Sequence, residues 1–487
     1  MLEAATDYKE KYEALYMEHL NLRHELDQLK RLVFGSRHER FVPSTPQEQL
    51  PLGLEATRSS SQTISPSPVQ TIEYTRTKKM STEKVNAGRM KLPADLPREE
   101  VVLEPDQDVS GLTVIGKEIT EELERVPGKL FVRQYIRPKY ALPNGEGVVI
   151  ADLPARPIDK GIAGPGLLAQ IVIDKYTDHL PVRRQIQRFE REGIRLSSST
   201  LTDWISGTCT LLDPLYEALK RQVLSADYLQ ADETPIKVLD KDKKGTTHRG
   251  YHWVYHAPVE RMVLFDYREG RGREGPQECL KHFKGHLQTD GYAVYEDFDL
   301  KSEVTLLHCM AHARRKFDES KDNDLAKSSY ALTEIQKLYA LERQAKSDAL
   351  SWEQRYSLRQ EKAVPILREL KTWMLENYKT VPPKSTIGQA LHYSLERWDK
   401  LMLYTRDGKL EIDNNLVENA IRPVAIGRKN YLFAGSHNGA RRAAMLYSFL
   451  GTCKINHINP FEWLRDVLSN IPTASVNNLS VLLPRKV

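Results

Sequence analysis

The chain has 487 residues, 40% of them hydrophobic and 28% charged, with a formal net charge of +5. That length exceeds one compact core and argues for several domains, while the absence of any apolar run of about 18 residues and of a basic-then-apolar start leads us to expect neither a membrane span nor a secretory signal. Cys209, Cys279, Cys309 and Cys453 lie far apart, which reads as reduced thiols in a cytoplasmic protein rather than as a disulfide framework.

Residues 8–33 carry heptads, with Tyr8, Leu15, Leu22 and Leu29 on one seam position and Tyr12, His19, Leu26 and Val33 on the other. This predicts a coiled-coil zipper within residues 1–42, dimeric or a higher oligomer. Residues 43–95 are rich in Ser, Thr, Pro and Gln and read as a flexible linker. Residues 96–158 look like a small β-rich module. Residues 159–222 read as helix, turn and a third helix capped by Ser197-Ser198-Ser199, which is either a DNA-reading helix-turn-helix or a plain helical scaffold. Arg183, Arg184, Arg188, Arg191 and Arg195 tilt that choice toward phosphate contact.

From Tyr228 the pattern turns to α/β. Strands are predicted at 228–239, 252–256, 262–267, 286–289 and 305–308, with a short helix at 277–283 and another from Ala311. Three strands, a helix, a strand and a further alternation match the order of a ribonuclease-H-like core, whose first segment spans 223–318. Residues 319–405 are helical in pattern and interrupt that core. Its second segment, 406–470, is again helical, and 471–487 form a tail. The fold class is thus multidomain α/β with large α content.

Asp232 lies in the first of these strands, Asp290 closes the fourth, and Glu418 falls on a helix beyond the insertion. A lone Asp is usually a turn or cap residue, but three carboxylates at such boundaries can form a cage for two divalent metals. Hard oxygen ligands suit Mg²⁺ or Mn²⁺, and two such ions suit phosphodiester chemistry. Asp413 and Glu233 lie close enough in sequence to be mistaken for members of the set. Asn414 and Asn415 are expected to cap the Glu418 helix.

The stretches Ala-Asp-Glu-Thr-Pro at Asp232, Thr-Asp-Gly-Tyr at Asp290, Cys-Met-Ala-His-Ala-Arg-Arg-Lys-Phe from Cys309 and Asp-Asn-Asn-Leu-Val-Glu-Asn-Ala-Ile-Arg-Pro from Asp413 resemble the transposases of insertion-sequence-66-type elements. So do Gly-Arg-Lys-Asn-Tyr-Leu-Phe-Ala-Gly-Ser from Gly427 and Gly-Ala-Arg-Arg-Ala-Ala from Gly439. The likeness runs from the zipper to about Leu468. It implies a DDE recombinase in which Asp232, Asp290 and Glu418 are the catalytic and metal-binding triad. It further implies hydrolysis at the ends of a mobile element followed by 3′-OH strand transfer into target DNA. Bacterial, nucleoid-associated localisation and helper proteins from the same element are implied as well.

Arg314, Arg315 and Lys316, with Arg422, Arg428, Lys429, Arg441 and Arg442, are read as DNA-binding. Cys309 and His312 make a Cys-x-x-His pair; two ligands do not close a zinc site, so they are expected to shape the active site or the core. Members of the family commonly carry paired cysteines around the β-rich module, whereas residues 1–208 here hold none, so no structural zinc is expected. The alternatives are a ribonuclease-H-like nuclease or resolvase, and a non-catalytic DNA-binding regulator descended from a transposase.

Overall fold

The structure is a computed structural model. It describes residues 96–485 apart from 108, 111–112, 127, 144–146, 160 and 241–244, together with His19, Leu92 and Ala94. The heptads of residues 8–33, His19 apart, and nearly all of the linker lie outside the described residues. Leu92 to the C-terminus forms one compact unit.

The β-rich module is a four-stranded sheet. Strand β3 (Lys129–Ala141) pairs in parallel with β1 (Arg98–Val102) and antiparallel with β2 (Thr113–Val126) and β4 (Val148–Ile150). Cross-strand pairs hold it, with Arg137 Nη2 2.8 Å from Glu118 and Gln134 donating to Glu121 at 2.7 Å. Glu124 Oε1 accepts from Leu167 N at 3.1 Å, capping helix α1 (Pro165–Tyr176). Gly164 at that helix's own N-cap has no side chain to do so.

Helices α2 (Val182–Arg191) and α3 (Ser198–Leu224) follow as expected. Gly193, at φ +83°, makes the left-handed turn between them, and Ser197 Oγ accepts from Thr200 N at 3.0 Å to cap α3. Their apolar faces, including Phe189, Leu201, Trp204 and Leu212, join the core of the second sheet. Of the arginines expected to meet phosphate here, Arg188 turns inward to Asp174, while Arg183, Arg184, Arg191 and Arg195 stay exposed.

The second sheet has the order β7-β6-β5-β8-β9. Strands β5 (Tyr228–Leu239), β6 (Thr247–Ala257) and β7 (Met262–Arg268) are antiparallel neighbours, and β8 (Gly285–Thr289) and β9 (Val304–His308) extend β5 in parallel. Between β7 and β8, α4 spans Glu274–Cys279. It starts earlier than its pattern suggests because Pro276 sits in its first turn, where a missing N–H costs no helical bond. Helix α5 (Met310–Glu319) leaves β9 directly.

The insertion comprises α6 (Leu325–Ser347), α7 (Trp352–Leu358), a π-helical turn (Arg359–Ala363), α8 (Val364–Tyr378), α9 (Thr386–Glu396) and α10 (Trp398–Met402). It has its own core around Leu338, Leu367, Met374 and Trp398, which reaches Tyr228, Leu307 and Met310 of the sheet and α5. Helix α11 (Asn415–Tyr431) then returns the chain to the sheet, followed by α12 (His437–Ile455) and α13 (Pro460–Asn470). Strand β7 is an edge, and α12 covers it. Ser448 Oγ accepts from Phe265 N at 2.8 Å and Thr452 Oγ1 from Val263 N at 3.2 Å, so the edge amides find side-chain partners instead of another chain.

Candidate active site

Adjacent parallel strands carry the same Leu-Gln-x-Asp pattern, Leu229-Gln230-Ala231-Asp232 on β5 and Leu287-Gln288-Thr289-Asp290 at the end of β8. The ladder pairs Leu229 with Leu287 and Gln230 with Gln288. With a side-chain period of two, Asp232 and Asp290 follow their glutamines onto one face, level with each other at the carboxyl ends of the parallel pair.

The two buried glutamines also dock the segment that bears the third acid. Gln230 Nε2 donates to Gln288 Oε1 at 3.0 Å and to the Asp413 carbonyl at 2.9 Å, and its Oε1 accepts from Val417 N at 3.3 Å. Gln288 Nε2 donates to the Glu411 carbonyl at 2.9 Å, and Tyr228 OH accepts from Glu411 N at 3.1 Å. Cys309 Sγ accepts from Asn414 N at 3.4 Å. These bonds fix the first turn of α11, where Glu418 lies; a carboxylate is favoured there by the helix dipole.

The capping of that helix differs from expectation. Asn414 occupies the N-cap position, but its amide makes no capping bond and both its polar atoms are buried without partners. Asp413 caps instead, because its Oδ1 accepts from Asn415 N at 3.1 Å and its Oδ2 from Asn415 Nδ2 at 2.7 Å. Tyr339 of the insertion donates a further 2.8 Å bond to Asp413 Oδ2. The Asp413 side chain, two residues before Asn415, reaches these donors, whereas the Asn414 side chain is turned into the interior.

Asp232 is the electrostatic centre. Its Oδ1 accepts from Glu233 N at 2.7 Å. Burial, reinforced by the negative charges of Glu233, Asp290 and Glu418, pushes its carboxyl up to about 8. Glu233 points to the opposite face and is matched by Arg271, which donates from Nε at 2.8 Å and stacks on Tyr292 at 4.2 Å. Asp290 Oδ1 accepts from Tyr292 N at 2.9 Å, closing its turn. Gly291 has φ +85°, and a Cβ there would stand 2.8 Å from Arg397 Nε, so both the turn and the approach of Arg397 need glycine. Tyr393 OH donates to the Asp290 carbonyl at 2.8 Å. Tyr339, Tyr393 and Arg397 thus bring the insertion onto the site.

His312 Nε2 lies 3.7 Å and Arg315 Nη2 3.8 Å from Glu418 Oε1. Burial is the main cause that holds the His312 pKa down. Arg314 and Lys316 are exposed on the same helix, and Arg422 is exposed one turn beyond Glu418. Arg428 donates to the Pro235 carbonyl, and Lys429 is exposed beside it. Arg441 and Arg442 are not part of this cluster. Arg441 pairs with Glu269 at 3.1 Å, and both line a separate cavity of about 710 Å³ against α3.

Among the described residues, no group of three or more His, Cys, Asp or Glu side chains is close enough to hold a metal ion in this arrangement. The donor set is nevertheless suited to a hard divalent cation. It consists of carboxylates on β5, just past β8 and in the first turn of α11, and the named charges acting on Asp232, those of Glu233, Asp290 and Glu418, are negative.

Sequence reasoning missed Tyr228, Gln230, Gln288, Tyr339, Tyr393 and Arg397. The repeated Leu-Gln-x-Asp was a readable signal for the glutamines. Nothing local marks the other residues, whose contacts span the insertion.

Comparison with known proteins converges on one family. The model described as "Transposase IS66 family" matches residues 160–442, "IS66 C-terminal element" matches 448–484, and "Transposase C of IS166 homeodomain" matches 21–101. Two proteins of Sinorhizobium fredii, "Uncharacterized protein y4hP" and "Uncharacterized protein y4jD", are 32% and 33% identical to it. These matches cover 94% and 96% of this chain and 87% and 94% of the relatives. Among the described residues no helix is long and apolar enough to cross a membrane. With the motifs in order along the chain and the family model covering more than half of it, this protein belongs to the IS66 family of transposases.

Proposed function

We propose that the chain is a DDE transposase with a ribonuclease-H-like core, cleaving DNA at the ends of its element and joining the freed 3′-OH to target DNA. The observation that carries this reading is the register of the Leu-Gln-x-Asp strands, with the Glu418 turn clamped beneath them by Gln230 and Gln288. The strand order, three antiparallel then two parallel with a helical insertion before the last acid, supports the core assignment.

Asp232, Asp290 and Glu418 would hold Mg²⁺ or Mn²⁺, two ions in all. Bound there, the cations supply Lewis-acid stabilisation of the attacking and departing oxygens. The protein's own groups do the rest. Asp232 and Asp290 give a fixed pair of carboxylates at one strand edge. Arg315 and its neighbours Arg314 and Lys316 hold the phosphate backbone beside Glu418. Arg422, Arg428 and Lys429 continue that positive surface along α11. In cleavage, a water oxygen bonds to phosphorus while the P–O3′ bond breaks, leaving a 3′-OH and a 5′-phosphate. In transfer, that 3′-OH bonds to a target phosphorus and displaces a target 3′ oxygen, so no protein–DNA covalent bond is needed.

The working unit on this reading pairs two element ends, for which the zipper supplies at least a dimer; helper proteins of the same element are its further partners. The discriminating experiment offers a pre-cut element end with a free 3′-OH to a supercoiled plasmid. Joined products support the transposase. Cleavage of intact ends without any joining would favour a nuclease or resolvase instead.

A further inference from the structure

The turn between α11 and α12 plays no part in holding the carboxylates, yet its backbone is strained. Leu432 has φ +61° and ψ −42°, and Phe433 N donates to the Tyr431 carbonyl at 2.7 Å. A bond from i to i+2 around a residue of positive φ and negative ψ is the strained form of the γ-turn, rare for a residue bearing a side chain. The surroundings hold it there. Ala434 N donates to the Lys237 carbonyl at 2.8 Å and Leu239 N to the Ala434 carbonyl at 2.9 Å, stitching the turn to the far end of β5. The fold gains little burial in return, because Leu432 is 61% and Phe433 39% exposed.

The described charged side chains that line the groove at this turn are all cationic. Lys237, Arg249 and Arg428 share with Leu432 and Phe433 a groove of about 520 Å³ whose lining, among the described residues, contains no acidic side chain. Lys429 is exposed on the last turn of α11. Large apolar side chains held in solvent beside cations match a wedge that enters between stacked base pairs while the cations grip the flanking phosphates.

We propose that the Leu432–Phe433 turn is a DNA wedge that unstacks the duplex about five or six base-pair steps from the phosphate at the carboxylates. Five strand residues separate Asp232 from Lys237, roughly 17 Å at ~3.3 Å each. Fourteen helical residues separate Glu418 from Leu432, roughly 21 Å at ~1.5 Å each. One base-pair step rises ~3.4 Å. The proposal rests on the transposase reading for its register.

The test uses full-length protein and duplexes of the element's terminal sequence carrying 2-aminopurine at successive positions. Fluorescence of the bound wild type is expected to rise severalfold at one or two adjacent positions, five or six steps from the nick. In Leu432→Gly/Phe433→Ala that rise disappears. Leu432→Gly alone melts no lower than the wild type, because glycine accepts the positive φ. A bound wild type without enhancement at any position, or an enhancement that survives in the double variant, overturns the wedge. So does a lower melting temperature for Leu432→Gly, which would mean that Leu432 serves packing or a protein contact. Failure of the catalytic reading is separable, since a protein that unstacks DNA but never nicks it keeps the wedge and loses the triad.

Discussion

Asp232 illustrates how one side chain carries a testable electrostatic signature. Its carboxyl, ordinarily at 3.8, is pushed up to about 8 in the folded chain. A raised acid pKa means that the folded state binds the proton more tightly than the unfolded one. Stability of the metal-free protein therefore falls as pH rises from about 4 toward 8. Asp232→Asn deletes that charge. Its melting temperature is expected to depend less on pH over this window and to exceed that of the wild type at pH 8 without metal. Parallel pH profiles for the two proteins would refute the assignment of the strain to Asp232. Arg315, 3.8 Å from Glu418 and exposed, is proposed to belong to the phosphate grip. Arg315→Ala should weaken DNA binding across sequences and reduce the log–log salt slope by about 1, measured by titration at several salt concentrations. The placement of the three carboxylates on elements was legible in part: Asp290 directly follows β8 and Glu418 lies in the first turn of α11, while Asp232 falls inside β5. The capping role of Asp413 was not legible, because whether Asp413 or Asn414 turns inward depends on Cys309, Gln230 and Tyr339, which are remote in sequence.

Between elements, the decisive feature is how α11 is attached. Gln230→Leu removes the donor to the Asp413 carbonyl and the acceptor of Val417 N, leaving buried groups unpaired at a cost of about 1–3 kcal/mol. Denaturant unfolding should show that loss. Turnover should fall while DNA affinity holds, since the lost bonds anchor the turn that bears Glu418 and include no cationic side chain. A second attachment comes from the insertion. Arg359 is buried in the π-helical turn, where it binds Glu342 and the carbonyls of Tyr404, Asp407 and Leu410. Arg355 bridges Glu342 and Glu411, at 2.7 and 2.8 Å. Removing one partner of a buried pair strands the other, so Glu342→Ala should destabilise by about 3–5 kcal/mol, read as a lowered unfolding midpoint. The strands and helices of this region follow from hydrophobic periodicity and breakers such as Gly193. Their extents do not always follow, because Thr247–Tyr251 of β6 is polar and mixed and becomes strand only through its ladder with Pro235–Leu239.

At the scale of the whole molecule, the helical segment of 159–222 and the second sheet share one apolar core, and the insertion joins its own core to the sheet through Tyr228, Leu307 and Met310. The pattern of residues separates these segments cleanly. Their fusion is a property of packed faces, invisible to periodicity. The zipper expected from the heptads of residues 8–33, which lie outside the described residues apart from His19, is testable from its seam. Replacing Leu15 and Leu22 with Lys should convert a dimer to a monomer in sedimentation and abolish joining of paired ends. The central claim is that Asp232, Asp290 and Glu418 form one catalytic set. Its most direct test is nicking of end-labelled terminal DNA with Mg²⁺ or with chelator, by the wild type and by Asp232→Asn, Asp290→Asn and Glu418→Gln, each confirmed folded by circular dichroism. Metal-dependent nicking by the wild type, reduced at least about 1,000-fold (roughly 4 kcal/mol) in each variant with DNA binding retained, is the expected result. Nicking that persists in any one of the three folded variants, or in chelator, would contradict it.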